Sequence, residues 1–113
     1  MAAHNKLQST PPYPVEEALK RLGGDLRTAR LRRNLTIAEV ARKIGTGPRA
    51  VMDAEKGKPS TGMVVYAALL WVFDLLGQLD EVADPSADKE GLALEARKGR
   101  KRARKSAGLD NEF

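Results

Sequence analysis

The sequence predicts an all-α protein of about five helices with flexible tails at both ends, and three observations carry that expectation. Apolar residues recur at helical spacing through the middle of the chain, no segment alternates with a period of two, and Gly, Asn and Pro interrupt the apolar runs where helices stop. Its 113 residues hold one small domain plus tails, because domains usually run ~100–150 residues.

Each element has its own justification. Residues 1–14 read as a flexible arm, with Pro11, Pro12 and Pro14 removing backbone donors and no apolar periodicity. Val15, Leu19, Leu22, Leu26 and Ala29 then form one stripe of an amphipathic helix. Pro14 suits its first position and Glu16–Glu17 the positive end of its dipole. Gly23–Gly24 weaken its middle, so a kink or break is expected there. Asn34 suits a left-handed stop.

A second helix begins at Thr36, where Glu39 three residues on completes a capping box, and it ends at Gly45. A third runs from about Pro48 to Lys56 between Gly47 and Gly57. Its buried stripe is only Val51 and Ala54, which leaves Arg49, Met52, Asp53 and Lys56 outside. A fourth helix carries Met63–Phe73, Asp74 marks a turn, and Leu75–Val82 reads as a short fifth helix. Asp84–Pro85 closes the domain. The expected organisation is therefore an arm over 1–14, a helical domain over 15–84 and a charged, largely flexible tail over 85–113.

Composition narrows the function. Hydrophobic residues make up 42% and charged residues 31% of the chain, a globular balance. The absence of Cys excludes disulfides, thiolate catalysis and cysteine zinc sites. The longest apolar run, Met63–Phe73, is eleven residues, against the ~20 that span a bilayer. The N-terminus lacks a signal-peptide pattern, and a cytoplasmic location without membrane contact is expected. His4, the single histidine, sits in the arm, and no phosphate loop, GxSxG or HExxH occurs. No catalytic residue, metal or cofactor is expected, and the chain reads as a non-enzyme.

Charge points toward a polyanion. Twenty Lys and Arg against fifteen Asp and Glu leave a net +5, and the sign changes along the chain. Residues 16–58 carry a net +5, residues 74–95 a net −6, and residues 97–105 seven cations without an acid. Basic segments on either side of an acidic one suit two polyanion contacts and a separate surface for a protein partner.

Residues 35–57, LTIAEVARKIGTGPRAVMDAEKG, join these threads. A capped helix, a glycine turn and a second short helix with little to bury leave that second helix an outward face, and its diameter fits a DNA major groove. The segment resembles the helix-turn-helix of the Xre family and is similar to the lambda phage repressor. Leu35-Thr36, Glu39-Val40-Ala41, Ile44-Gly45, Val51 and Glu55-Lys56-Gly57 carry the likeness. The resemblance implies a lambda-repressor-like domain whose base-reading positions fall on Gly47, Pro48, Arg49, Met52 and Asp53. Arg49 suits a bidentate guanine contact, a pairing worth about 1–3 kcal/mol of discrimination. Asp53 is either an acceptor for a cytosine amine or the partner of Arg49 one turn away. Met52 either touches a thymine methyl or fills space between helices. Thr36, Lys56, Lys58, Arg33 and Arg42 are candidate phosphate contacts. Two positions depart from the family pattern: Ile37 stands where Gln is common, and Pro48 stands where a polar residue often begins the reading helix. Direct base readout is correspondingly thin, and shape readout gains weight.

Half-site recognition by such a domain normally requires a two-fold dimer. Met63–Phe73 is apolar on every side, so Met63, Tyr66, Leu70, Trp71 and Phe73 are candidate dimer contacts, the alternative being that this helix is simply the central core helix. The stretches PSTGMVVYAALLWVFDLLGQLDEVADP and GLALEARKGRKRAR resemble the HipB antitoxins, Xre-type proteins encoded beside HipA-like kinases. That likeness implies a homodimeric antitoxin and autorepressor that binds operator DNA and a Ser/Thr-kinase toxin, with a third small protein in the tripartite HipBST modules. In the tail, Arg100, Lys101, Arg102 and Arg104 are candidate backbone contacts. The alternatives there are a solvated end or kinase docking anchored by Leu109 or Phe113. Two other functions remain open: a free-standing Xre-type regulator, and an adaptor that binds a kinase without reading DNA.

Overall fold

A computed structural model describes residues 5–106. Among them all regular structure is helical: α1 (Lys6–Ser9), α2 (Tyr13–Arg32), α3 (Ile37–Ile44), α4 (Pro48–Glu55), α5 (Met63–Val72) and α6 (Lys89–Ser106), with 3-10 turns at Leu76–Glu81 and Pro85–Ala87. The protein is all-α, and α3 and α4 form a helix-turn-helix. No helix among the described residues is long and apolar enough to cross a membrane. The chain divides into two compact units, one ending at Gly77 and one beginning at Gln78.

In the first unit α4 packs against α2, α3 and α5, and α3 also lies on α5. Leu26 and Ala29 of α2, Val40 and Ala41 of α3, Val51 and Ala54 of α4, and Tyr66, Leu69, Leu70 and Phe73 at α5 make the buried core. Of the expected α2 stripe, Leu26 and Ala29 are buried, while Leu19 and Leu22 are half-buried and Val15 is exposed.

Several expectations are corrected. The arm contains α1, whose Asn5 side chain accepts hydrogen bonds from the N–H groups of Leu7 and Gln8, and α2 starts at Tyr13. No break occurs at Gly23–Gly24, because the missing side chain of Gly23 is what lets α4 approach. A Cβ at that position would lie 2.5 Å from the carbonyl oxygen of Ala54 and 2.6 Å from that of Glu55. The stop after α2 is as expected, with Asn34 left-handed at φ 55°. The short fifth helix expected over Leu75–Val82 is present as a 3-10 helix, Leu76–Glu81, which buries nothing and is bracketed by Asp74 and Ala83, both at positive φ. The first unit closes at Gly77, short of the expected boundary at residue 84.

In the second unit the expected flexible tail is largely the helix α6. Residues 92–98 are almost all strong helix formers. The Asp88 carboxylate accepts from the Gly91 N–H at 2.9 Å and its carbonyl from the Leu92 N–H at 2.9 Å, which gives two donors of the first turn their partners. Glu90 stands near the N-terminus and every cation of α6 except Lys89 follows it, the order the helix dipole favours.

Candidate nucleic-acid interface

The α3–α4 corner is fixed by local chemistry. The Thr36 hydroxyl accepts from the Glu39 N–H at 3.0 Å, and the Glu39 carboxylate accepts from the Thr36 N–H at 2.8 Å. The Thr36 N–H first, and its hydroxyl second, hold the Glu39 carboxyl below the ordinary carboxylate range. Gly45 ends α3 at φ 83°, a conformation that side-chain-bearing residues resist. Gly47 opens α4 in extended conformation, and Pro48 occupies its first turn.

One side of α4 is wholly committed to the core through Val51 and Ala54. Its C-terminal turn is held by an ion pair that sequence reasoning missed. Arg30 Nε donates to Glu55 Oε2 at 2.6 Å, Arg30 Nη2 donates to Glu55 Oε1 at 3.0 Å, and Nη1 donates to the carbonyl of Leu35 at 2.9 Å. Both side chains are more than nine-tenths buried, and the carboxylate raises the Arg30 pKa further. The signal was present: Arg30 follows Leu26 by one turn and so belongs to the buried stripe.

The outward face holds the expected readers unevenly. Gly47, Pro48 and Arg49 are exposed together at the start of α4, with the Arg49 side chain 79% exposed. Met52 and Asp53, expected to be exposed, are half-buried. Met52 lines an open groove of about 270 Å³ with Ile37, Arg27, Arg30, Glu55 and Lys56, and so stays partly accessible. Ile37, the departure from the family pattern, is thus matched by an apolar neighbour. Asp53 takes the ion-pair alternative: Oδ1 lies 3.6 Å from Arg49 Nε and Oδ2 lies 3.9 Å from Lys58 Nζ.

Among the candidate phosphate contacts, Thr36, Arg42, Lys56 and Lys58 are exposed. Among the described residues Arg42 and Lys56 make no ion pair. Arg33 is exposed too, but its guanidinium is engaged. Its Nη1 donates to the Ala29 carbonyl at 2.9 Å and its Nη2 to the Phe73 carbonyl at 3.0 Å, with the guanidinium 5.4 Å from the centre of the Phe73 ring. It ties the end of α2 to the end of α5.

The candidate dimer contacts also divide. Tyr66, Leu70 and Phe73 belong to the subunit core, because α5 packs against both α3 and α4, while Met63 and Trp71 are exposed together with Val64. The hydroxyls of Thr61 and Tyr66 are buried without a hydrogen-bond partner among the described residues, and burial pushes the Tyr66 phenol up. In the tail, Arg100 is exposed on α6, and the backbone of Lys101, Arg102 and Arg104 is helical. The side chains of those three, together with Leu109, Phe113 and His4, lie outside the described residues. No family model, characterised protein or solved structure matches this chain.

Proposed function

We propose that this protein is a sequence-specific DNA-binding antitoxin and autorepressor, working as a cytoplasmic homodimer with a HipA-like Ser/Thr kinase as its toxin. The observation that carries the DNA reading is the economy of α4. A helix that gives two small residues to the core and presents Pro48 and Arg49 outward, flanked by Arg42, Lys56 and Lys58, suits a major groove better than a core. Arg49 is the base reader, and Thr36, Arg42, Lys56 and Lys58 position the domain on phosphates. Arg100, Lys101, Arg102 and Arg104 on α6 add backbone attraction. The antitoxin part rests on the resemblance of residues 59–105 to HipB proteins, and the acidic stretch 74–95 suits the kinase.

Binding to the DNA upstream of the protein's own gene, measured over a salt series, tests the reading. A specific complex with a steep salt dependence is expected. Arg49→Ala should lose about 1–3 kcal/mol and the preference at one base pair, whereas Lys58→Ala should weaken all sequences alike. Sequence-blind losses for both would remove Arg49 as a reader. Pro48, which offers neither donor nor side-chain hydrogen bond, favours one second reading, an adaptor that binds the kinase alone. Indifference to duplex at every salt concentration, with kinase capture intact, would establish it.

A further inference from the structure

We propose that Asp53 is the specificity-determining positioning residue of the α4 face, weakening the sequence-blind phosphate attraction of Arg49 and Lys58 while leaving Arg49 open to a base edge. The proposal rests on the DNA-binding reading and says how that site would discriminate. Asp53 stands one turn after Arg49 on α4, and its side chain is only 22% exposed. Each carboxylate oxygen faces a different cation, Oδ1 the Nε of Arg49 at 3.6 Å and Oδ2 the Nζ of Lys58 at 3.9 Å. The backbone repeats the link, because the Lys58 N–H donates to the Asp53 carbonyl at 3.0 Å and the Thr61 N–H to the Lys58 carbonyl at 3.0 Å. The loop that carries Lys58 is therefore held to the same residue as its charge.

Two consequences follow from this arrangement. Nonspecific affinity grows with the number of cations that can neutralise phosphates. Here two exposed cations share one carboxylate, so a phosphate approaching either must also approach a negative charge. A base edge carries no net charge, and Arg49, 79% exposed, faces the carboxylate through Nε at 3.6 Å. Its two terminal nitrogens stay available for the O6 and N7 acceptors of a guanine, the bidentate contact that discriminates. Asp53 thus taxes the contact that reads nothing and leaves open the one that reads sequence.

The test uses the full-length protein and random-sequence duplexes of ~30 base pairs, long enough for two half-sites, alongside the sequence that the wild type enriches from that pool. Asp53→Asn should bind the unselected pool about 3–10-fold tighter at low salt and steepen the log–log salt slope by up to ~1.8, about 0.9 for each cation released. Its preference for the enriched sequence should fall about tenfold. Asp53→Glu, which keeps the charge, should retain the wild-type slope. In an Arg49→Ala background the effect of Asp53→Asn on preference should vanish. An unchanged slope and preference in Asp53→Asn, or the same loss of preference without Arg49, overturns the proposal. Enrichment by wild type combined with an inert Asp53→Asn defeats the proposal alone. A wild type that enriches nothing and retains no duplex at low salt defeats the DNA reading itself, and the proposal with it.

Discussion

A guanidinium keeps its proton at any ordinary pH, so Arg30 enters the interior of the first unit as a cation and needs a fixed anion there. Glu55 supplies it through two donors, and the third bond goes to the Leu35 carbonyl at the entrance to α3. One residue thereby joins the end of α4 to the α2–α3 corner, which is the joint that sets α4 against α3. Glu55→Ala leaves a buried charge without a partner and should cost about 3–5 kcal/mol, read from urea unfolding. The double change Arg30→Met with Glu55→Leu should recover much of that loss, because an apolar pair of similar bulk carries no desolvation cost. It should not recover all, since the Leu35 carbonyl loses its donor. A single-variant loss under about 1 kcal/mol would show that the pair is not what holds the joint.

At the scale of elements, the two adjacent glycines of α2 separate packing from propensity. Gly23 meets the carbonyls of Ala54 and Glu55, backbone atoms that cannot swing aside, whereas a Cβ at Gly24 has nothing within 4 Å. Gly24→Ala should therefore stabilise the protein by up to about 1 kcal/mol, while Gly23→Ala should destabilise it because α2 and α4 must separate. Thermal melts of the two variants should shift in opposite directions, and equal shifts would remove the close approach as the reason for Gly23. The pair also shows where the sequence is readable. Caps and stops act within a few residues, so Thr36 with Glu39, Gly45, Asn34 and the α4 boundaries could be read directly. Gly23, Arg30 and Arg33 act across helices, and local reasoning reads only a weak point at Gly23 and a phosphate contact at Arg33. The candidate site divides in the same way. The exposure of Arg49 follows from spacing on one helix, whereas the half-burial of Met52 depends on α2 and α3, and the full burial of Tyr66, Leu70 and Phe73 on α3 and α4. The helicity of residues 89–106 shows the strong helix propensity of Leu, Ala, Glu, Lys and Arg outweighing the like-charge repulsion of residues 97–105.

For the whole molecule, the question is what covers the outside of α5. The inner side is spent on Tyr66, Leu69 and Leu70, yet Val64 and Trp71, two turns apart on one face, are 76% and 60% exposed, with Met63 beside them at 59%. Trp is costly to leave in water and is enriched where surfaces pair. A domain that reads half-sites needs a two-fold partner, and in an isologous contact the same patch serves both copies. A homodimer through this face is the expected arrangement, with Trp71 at its centre. Sedimentation equilibrium should give a mass twice that of the chain, and tryptophan emission should move to shorter wavelength as concentration rises through the dissociation constant. Trp71→Glu should yield a monomer whose secondary structure is unchanged, because a residue this exposed contributes little to its own subunit. Its affinity for a two-half-site duplex should fall far more than its affinity for a single half-site, since dimerisation joins two weak contacts into one strong one. A Trp71→Glu protein that remains dimeric would move the interface elsewhere, and one that unfolds would place Trp71 in the fold of the single subunit.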